Sequence, residues 1–334
     1  MAFSKVSGSQ IVGIHSVVPR KVEDNLELEL ISEVDREALI HHTGIRFRRV
    51  ASSDQNVQQL FQIATEKLLQ KLEWNADTID VLICVTQSPN MVIPSVSNRI
   101  HGNLNLNSDA LCFDLVAGCS GFVYGLQTIQ AILSSISKEN KRAILCCGDI
   151  STQLIDSKDK SVKPIFSDAV SAIAIENCSD LNEITGYFNL QTEGKGQSAI
   201  EMKNDDLGNS FMRLNGIDVF NYSVNLVPKN ISNLLEFAEK EIDFPDLFVF
   251  HQANKLITES IRRKLKVPIE KVPYSLYEFG NTASASIPLT LNTIWNQHVS
   301  KSSWILISGF GVGFSMASGL IRFDPKICEI PEEM

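Results

Sequence analysis

The chain has 334 residues, 44% of them apolar and 21% charged, and a formal net charge of −9. That length holds two domains, or two fused halves, around a large core. The acidic balance, without a long basic run, argues against a nucleic-acid partner.

In chain order, residues 9–14 read as a strand. Residues 57–71 have helical spacing through Leu60, Phe61, Ala64, Leu68 and Leu69. Residues 81–86 form a short apolar strand, and Pro94 is placed to begin a helix. Residues 110–115 read as a strand, 120–136 as an apolar helix, and 142–147 and 169–175 as strands. The second half repeats the programme: helix 216–238, strand 246–250, helix 253–266 ended by Val267-Pro268, helix 287–298, and strands 304–308 and 315–322. This alternation predicts an α/β architecture with mainly buried sheets.

The halves also match by position. Asp80–Gln87 resembles Asp246–Gln252, each an apolar strand with a polar end. The turn at Cys119 corresponds to Gly280-Asn281-Thr282, and the strand pairs that follow correspond too. A duplicated fold with pseudo-twofold symmetry is expected, which brings the Cys119, His251 and Asn281 turns to one central interface. Seven cysteines without a CxxC pair suggest neither zinc nor a redox dithiol. With no apolar run long enough for a bilayer and no signal-peptide core, a cytoplasmic chain with reduced thiols is expected.

Chemistry concentrates at three turns. Cys119 lies between a strand and a helix, where the helix dipole favours thiolate. His251 ends a strand, and Asn281 sits in a Gly-Asn turn. Taken singly, each has a plain alternative: a packed thiol, a hydrogen-bonded core histidine, an ordinary turn. Together they form a nucleophile with two hydrogen-bond donors for a thioester oxygen that becomes an enolate. Asparagine does not titrate, so its part is polarisation. The run Ser308-Gly309-Phe310-Gly311-Val312-Gly313-Phe314 lacks the dinucleotide spacing and precedes a strand pattern. Its glycines instead suit a tight hairpin that brings a backbone N–H to Cys119; a hairpin without any role is the alternative.

These motifs, with Thr43-Gly44-Ile45-Arg46, Ser167-Asp168-Ala169 and His251-Gln252-Ala253-Asn254, resemble the β-ketoacyl-acyl-carrier-protein (ACP) synthase III family of the thiolase superfamily. The resemblance covers nearly the whole chain. It implies a five-layered αβαβα fold in two halves, 1–177 with Cys119 and 178–334 with His251 and Asn281, and a homodimer. It implies a decarboxylating condensation of an acyl primer with malonyl-ACP through an acyl-cysteine. The backbone N–H groups of Cys119 and Val312 would form the oxyanion hole. No metal or other cofactor is implied beyond the CoA or ACP phosphopantetheine thioesters that serve as substrates. Arg46, Ile93, Gly216 and Phe220 would bind substrate, and Lys255, Arg262, Arg263 and Lys264 would form a basic face for the acyl carrier protein.

Four departures from the family pattern stand out. Ala38 and Lys160 replace the tryptophan and arginine that clamp the CoA adenine, which makes an acyl-ACP primer a serious alternative to acyl-CoA. Leu256 replaces a docking arginine. Ile93 replaces a phenylalanine that reaches into the partner's acyl pocket, a change that alone does not name the acyl group. Two other readings stay open. One is a family member of a specialised pathway forming an ester, amide or ketone; the other is a non-catalytic carrier-binding partner.

Overall fold

The computed structural model describes residues 2–178, 180–298 and 303–334. A strand that is apolar at every position needs cover on both faces. All of Val81–Val85 is buried: Val81, Ile83 and Val85 point into a central cluster, Leu82 and Cys84 into an outer one. Leu247–Phe250 does the same, with Leu247 and Val249 central and Phe248 and Phe250 in the opposite outer cluster.

Two sheets result. One contains, in order, Ser9–Val18, Ala169–Asn177, Arg142–Asp149, Val81–Val85 and Leu111–Leu115; the other contains Ile184–Thr192, Ser315–Phe323, Ser303–Gly311 and Leu247–Phe250. In each, the first two junctions are antiparallel and the third is parallel. The same order and the same senses in both sheets are the pattern of a duplicated unit. The chain ends cross over, however. Ala2–Ser7 pairs with Ile184–Thr192 in the second sheet, and Ile327–Cys328 and Glu332–Glu333 pair with Ser9–Val18 in the first.

Helices Gly121–Ser135 and Ser286–His298 fill the space between the sheets. Val57–Leu72 and Val96–Leu104 cover one outer face, Gly216–Phe237 and Lys255–Leu265 the other, which completes five αβαβα layers. Local signals set the helix ends. Asn56 and Gln59 form a reciprocal capping box. Asn254 accepts from the Ile257 N–H, so the helix expected from 253 starts at Lys255. Pro94 does not begin its helix. Ser95 is the cap, Asp114 accepts from the Val96 and Ser97 N–H groups at 2.7 and 2.9 Å, and Pro94 follows a cis peptide bond before them. No described helix is long and apolar enough to cross a membrane.

Candidate active site

Cys119 lies two residues before helix Gly121–Ser135, in a tight turn closed by the Gly121 N–H on the Gly118 carbonyl at 2.7 Å. The backbone of the Ser303–Gly311 strand is seated directly on this turn. A Cβ at Gly309 would lie 2.6 Å from the Cys119 carbonyl oxygen, and one at Gly311 would lie 3.3 Å from Cys119 Sγ. Only glycine permits that approach. Val312 follows, in the short 3-10 turn Val312–Phe314 that joins the two hairpin strands.

His251 continues the ladder beyond Leu247–Phe250, its N–H donating to the Ser308 carbonyl at 2.8 Å. Its Nδ1 lies 2.7 Å from Ser286 Oγ, at the start of the second central helix. Asn281 is anchored from both sides. Its backbone pairs with Ile165 and Ser167, and its Oδ1 accepts from the Ala283 N–H at 3.0 Å. That bond fixes which end of the amide is the acceptor, so Nδ2 is presented as a donor. Cys119, His251 and Asn281 line one pocket of ≈ 60 Å³, walled by Ile165, Phe166, Val219 and Phe310.

The electrostatics correct one expectation. Burial pushes the Cys119 thiol up to about 12, with the Asp149 carboxylate adding to it, and burial pushes the His251 imidazole down to about 3. The resting pair is therefore a neutral thiol and a neutral imidazole, not a thiolate. A helix dipole contributes at most about 2 kcal/mol, whereas the rise of the thiol from 9.0 to about 12 corresponds to about 4 kcal/mol. Desolvation wins. Cys328 is also pushed up to about 12 by burial, so titration does not single out Cys119; its place in the pocket does.

Gly216 lines the pocket beside Val219, but Phe220 packs in the outer core and is not among the lining residues, a correction to its expected role. Arg46 also lies outside the pocket wall. Asp24 Oδ2 and Tyr277 Oη hold it at 3.2 Å each, over the Phe47 ring. Ile93 is 81% exposed, on a segment with exposed Met91 and Val92. Ala38 and Lys160 are exposed as well.

On the basic helix, Arg263 and Lys255 face solvent, Lys255 beside His41 and Tyr277 in a shallow cavity. Arg262 is not a free docking cation: it grips Glu259 through Nε and Nη2 and caps the helix end through the Val267 carbonyl. Lys264 reaches the Val224 carbonyl and Asn225 at 3.2 and 3.0 Å.

Two supporting residues had no sequence signal of their own. Ser286 is one small polar residue among several in Thr282–Ser286. Asp149 ends a buried strand and accepts from the Gln87 N–H at 2.6 Å, Thr86 Oγ1 at 2.9 Å, Ser88 Oγ at 3.3 Å and Ser284 Oγ at 3.4 Å. It ties the strand end beside the Cys119 turn to the turn that carries Asn281. Despite these bonds, burial raises its carboxyl to about 6.

The geometry agrees with the relatives. The model for 3-oxoacyl-[acyl-carrier-protein] synthase III matches residues 113–194, and that for the C-terminal part of the same enzyme matches residues 235–323. The chain is 31% identical over 330 residues to the β-ketoacyl-[acyl-carrier-protein] synthase III of Lactobacillus helveticus, covering 96% of this chain and 100% of that one. The crystal structure of 3-oxoacyl-(acyl-carrier protein) synthase from Burkholderia xenovorans superposes with a TM-score of 0.93 at 31% identity, covering 100% of this chain and 99% of that one. The priming β-ketosynthase of the R1128 polyketide biosynthetic pathway superposes with a TM-score of 0.87 at 26% identity, over 97% of this chain and 99% of that one. With the two-sheet duplication, the shared pocket of Cys119, His251 and Asn281, and this similarity along its length, the chain belongs to the β-ketoacyl-[acyl-carrier-protein] synthase III family of acyl-transferring condensing enzymes.

Proposed function

We propose that the chain transfers an acyl primer from a phosphopantetheine thioester to Cys119 and condenses it with malonyl-ACP, releasing CO2 and a β-ketoacyl-ACP. The convergence of Cys119, His251 and Asn281 on one pocket carries this reading. In the first half, the neutral thiol gives its proton to His251 as sulfur attacks the thioester carbonyl. The backbone N–H groups of Cys119 and Val312 hold the oxyanion. The intermediate collapses, the carbon–sulfur bond to the carrier breaks, and the departing sulfur takes the proton from His251.

In the second half, the carbon–carboxylate bond of malonyl-ACP breaks and its electron pair forms a thioester enolate. His251 Nε2 and Asn281 Nδ2 donate hydrogen bonds to that oxygen. The enolate carbon bonds to the acyl carbonyl, Cys119 sulfur leaves, and it takes a proton from solvent. The Ser286 hydroxyl gives or accepts a hydrogen bond at Nδ1, so either tautomer of His251 is supported. The scheme calls on no metal or nicotinamide.

The exposed Ala38 and Lys160 leave no aromatic or planar clamp for an adenine at those positions, which favours an ACP-borne primer over acyl-CoA. Leu111–Leu115 is a sheet edge, and Leu111, Val116, Val92 and Ile93 around it are exposed apolar residues. A second copy of the chain is the occupant we assign there, making a homodimer. The unpaired state of all seven cysteines fits a cytoplasmic enzyme. The test is malonyl-ACP decarboxylation in His251→Ala and Asn281→Ala. Both should lose it; Asn281→Ala should still accept an acyl group at Cys119, whereas His251→Ala, which also lacks the base for the thiol, should accept it more slowly; undiminished decarboxylation in both refutes the enolate site.

A further inference from the structure

The segment Thr86-Gln87-Ser88 follows strand Val81–Val85 and bends at Gln87. Thr86 and Ser88 both direct their hydroxyls to Asp149, and the Gln87 N–H donates to the same carboxyl at 2.6 Å. The Gln87 side chain turns instead toward the Cys119 turn. There it runs against the backbone just before the nucleophile: its Oε1 lies 2.5 Å from where a Cβ at Gly118 would be.

Gln87 lines a second pocket of ≈ 190 Å³, walled by Leu154, Ile200, Met202, Met212 and Val312. Ile200 is common to this pocket and the one that holds Cys119. Val312 packs on the same turn, with Cγ2 3.2 Å from the same point at Gly118. The other polar lining residue, Glu201, is engaged by Lys203 at 2.8 Å. The Gln87 side-chain amide has no hydrogen-bond partner among the described residues. A largely apolar pocket beside the Cys119 turn thus contains one amide that has no partner among the described residues.

We propose that Gln87 is a specificity-determining residue whose amide hydrogen-bonds an oxygen on the acyl chain. The preferred primer then carries a hydroxyl or oxo oxygen close to its thioester, not a plain hydrocarbon chain. This inference rests on the acyl-transfer reading above. A polar site selects through the group that would otherwise stay unpaired when an apolar chain covers it. Methionine matches glutamine in length and shape without the amide, so Gln87→Met removes the hydrogen bond and keeps the volume.

The experiment offers butanoyl, 3-hydroxybutanoyl and 3-oxobutanoyl thioesters of phosphopantetheine to wild type, Gln87→Met and Gln87→Leu, and follows acylation of Cys119 by intact mass. Each protein is scored by the ratio of its rates with oxygenated and plain donors, which cancels any difference in folded fraction. Wild type should favour one oxygenated donor by about tenfold, and both variants should bring that ratio to one or below. Equal ratios in wild type and variants, or a wild-type preference for butanoyl, overturn the inference while leaving acyl transfer intact. If no donor acylates wild type that melts cooperatively, the acyl-transfer reading falls and takes this inference with it.

Discussion

Gly309→Ala tests whether the hairpin sets the position of the nucleophile. The added Cβ would sit 2.6 Å from the Cys119 carbonyl oxygen and 2.7 Å from Ser120 Cα, roughly 1 Å inside ordinary non-bonded contact. Both neighbours are backbone, so no side chain can swing away. Relief requires a shift of the Cys119 turn or of the strand, at about 1–3 kcal/mol for overpacking. A displacement near 1 Å at a reacting atom costs about 10²-fold in rate. The acylation rate by intact mass and the melting temperature are measured together. Acylation should fall about 10²-fold while the variant still melts cooperatively a few degrees lower. Gly102→Ala is the comparison, since nothing lies within 4 Å of its added Cβ, and it should keep wild-type acylation. Wild-type acylation and melting in Gly309→Ala would refute the claim that this hairpin is seated on the nucleophile.

Ser286→Ala removes the partner of His251 Nδ1; steady-state condensation should slow about tenfold with little change in melting, and an unchanged rate argues against its orienting role. Asp149 provides a pH test. Burial raises its folded carboxyl from the ordinary 3.8 to about 6, so the stability it contributes is complete below about pH 4 and is lost as pH rises through about 6. The unfolding free energy of wild type relative to Asp149→Asn should therefore fall by about 3 kcal/mol between pH 4 and 8; a constant difference in urea titrations contradicts it. Lys255→Glu and Arg263→Glu should raise KM for carrier-borne substrates, more at low salt than at high. Arg262→Ala should instead lower the melting temperature, because it removes the bonds to Glu259 and to the Val267 carbonyl at the helix end; a KM effect of Arg262→Ala equal to the other two would restore it as a docking cation.

The strands were readable because a sheet covered on both faces demands uninterrupted apolar runs, and Val81–Val85 and Leu247–Phe250 supply them. That Cys119, His251 and Asn281 meet in one pocket was readable because each stands at a strand end or a turn before a helix. What was not readable depends on long-range contacts. Arg262 is the exception: its partners are local, Glu259 at i,i+3 spacing on the same helix and the Val267 carbonyl five residues on, and they consume the donors assigned to docking. At Ser95 the cap itself is local, its Oγ accepting from the Asn98 N–H, but the hold on the Val96 and Ser97 N–H groups comes from Asp114 on a neighbouring strand. The thiolate expectation for Cys119 failed because the helix dipole is local and visible in the chain order, whereas the desolvation that outweighs it comes from the whole surrounding fold. The crossing of Ala2–Ser7 into the distant sheet likewise depends on a partner strand at Ile184–Thr192.

The central claim is that Cys119 receives the acyl group. Intact-mass spectrometry of wild type and Cys119→Ala, each incubated with a panel of acyl-ACP and acyl-CoA donors, tests it most directly. Wild type should gain the mass of one acyl group, located at Cys119 by peptide mapping, and Cys119→Ala should gain none. An equal adduct in Cys119→Ala, or one mapped to another cysteine, would contradict the account.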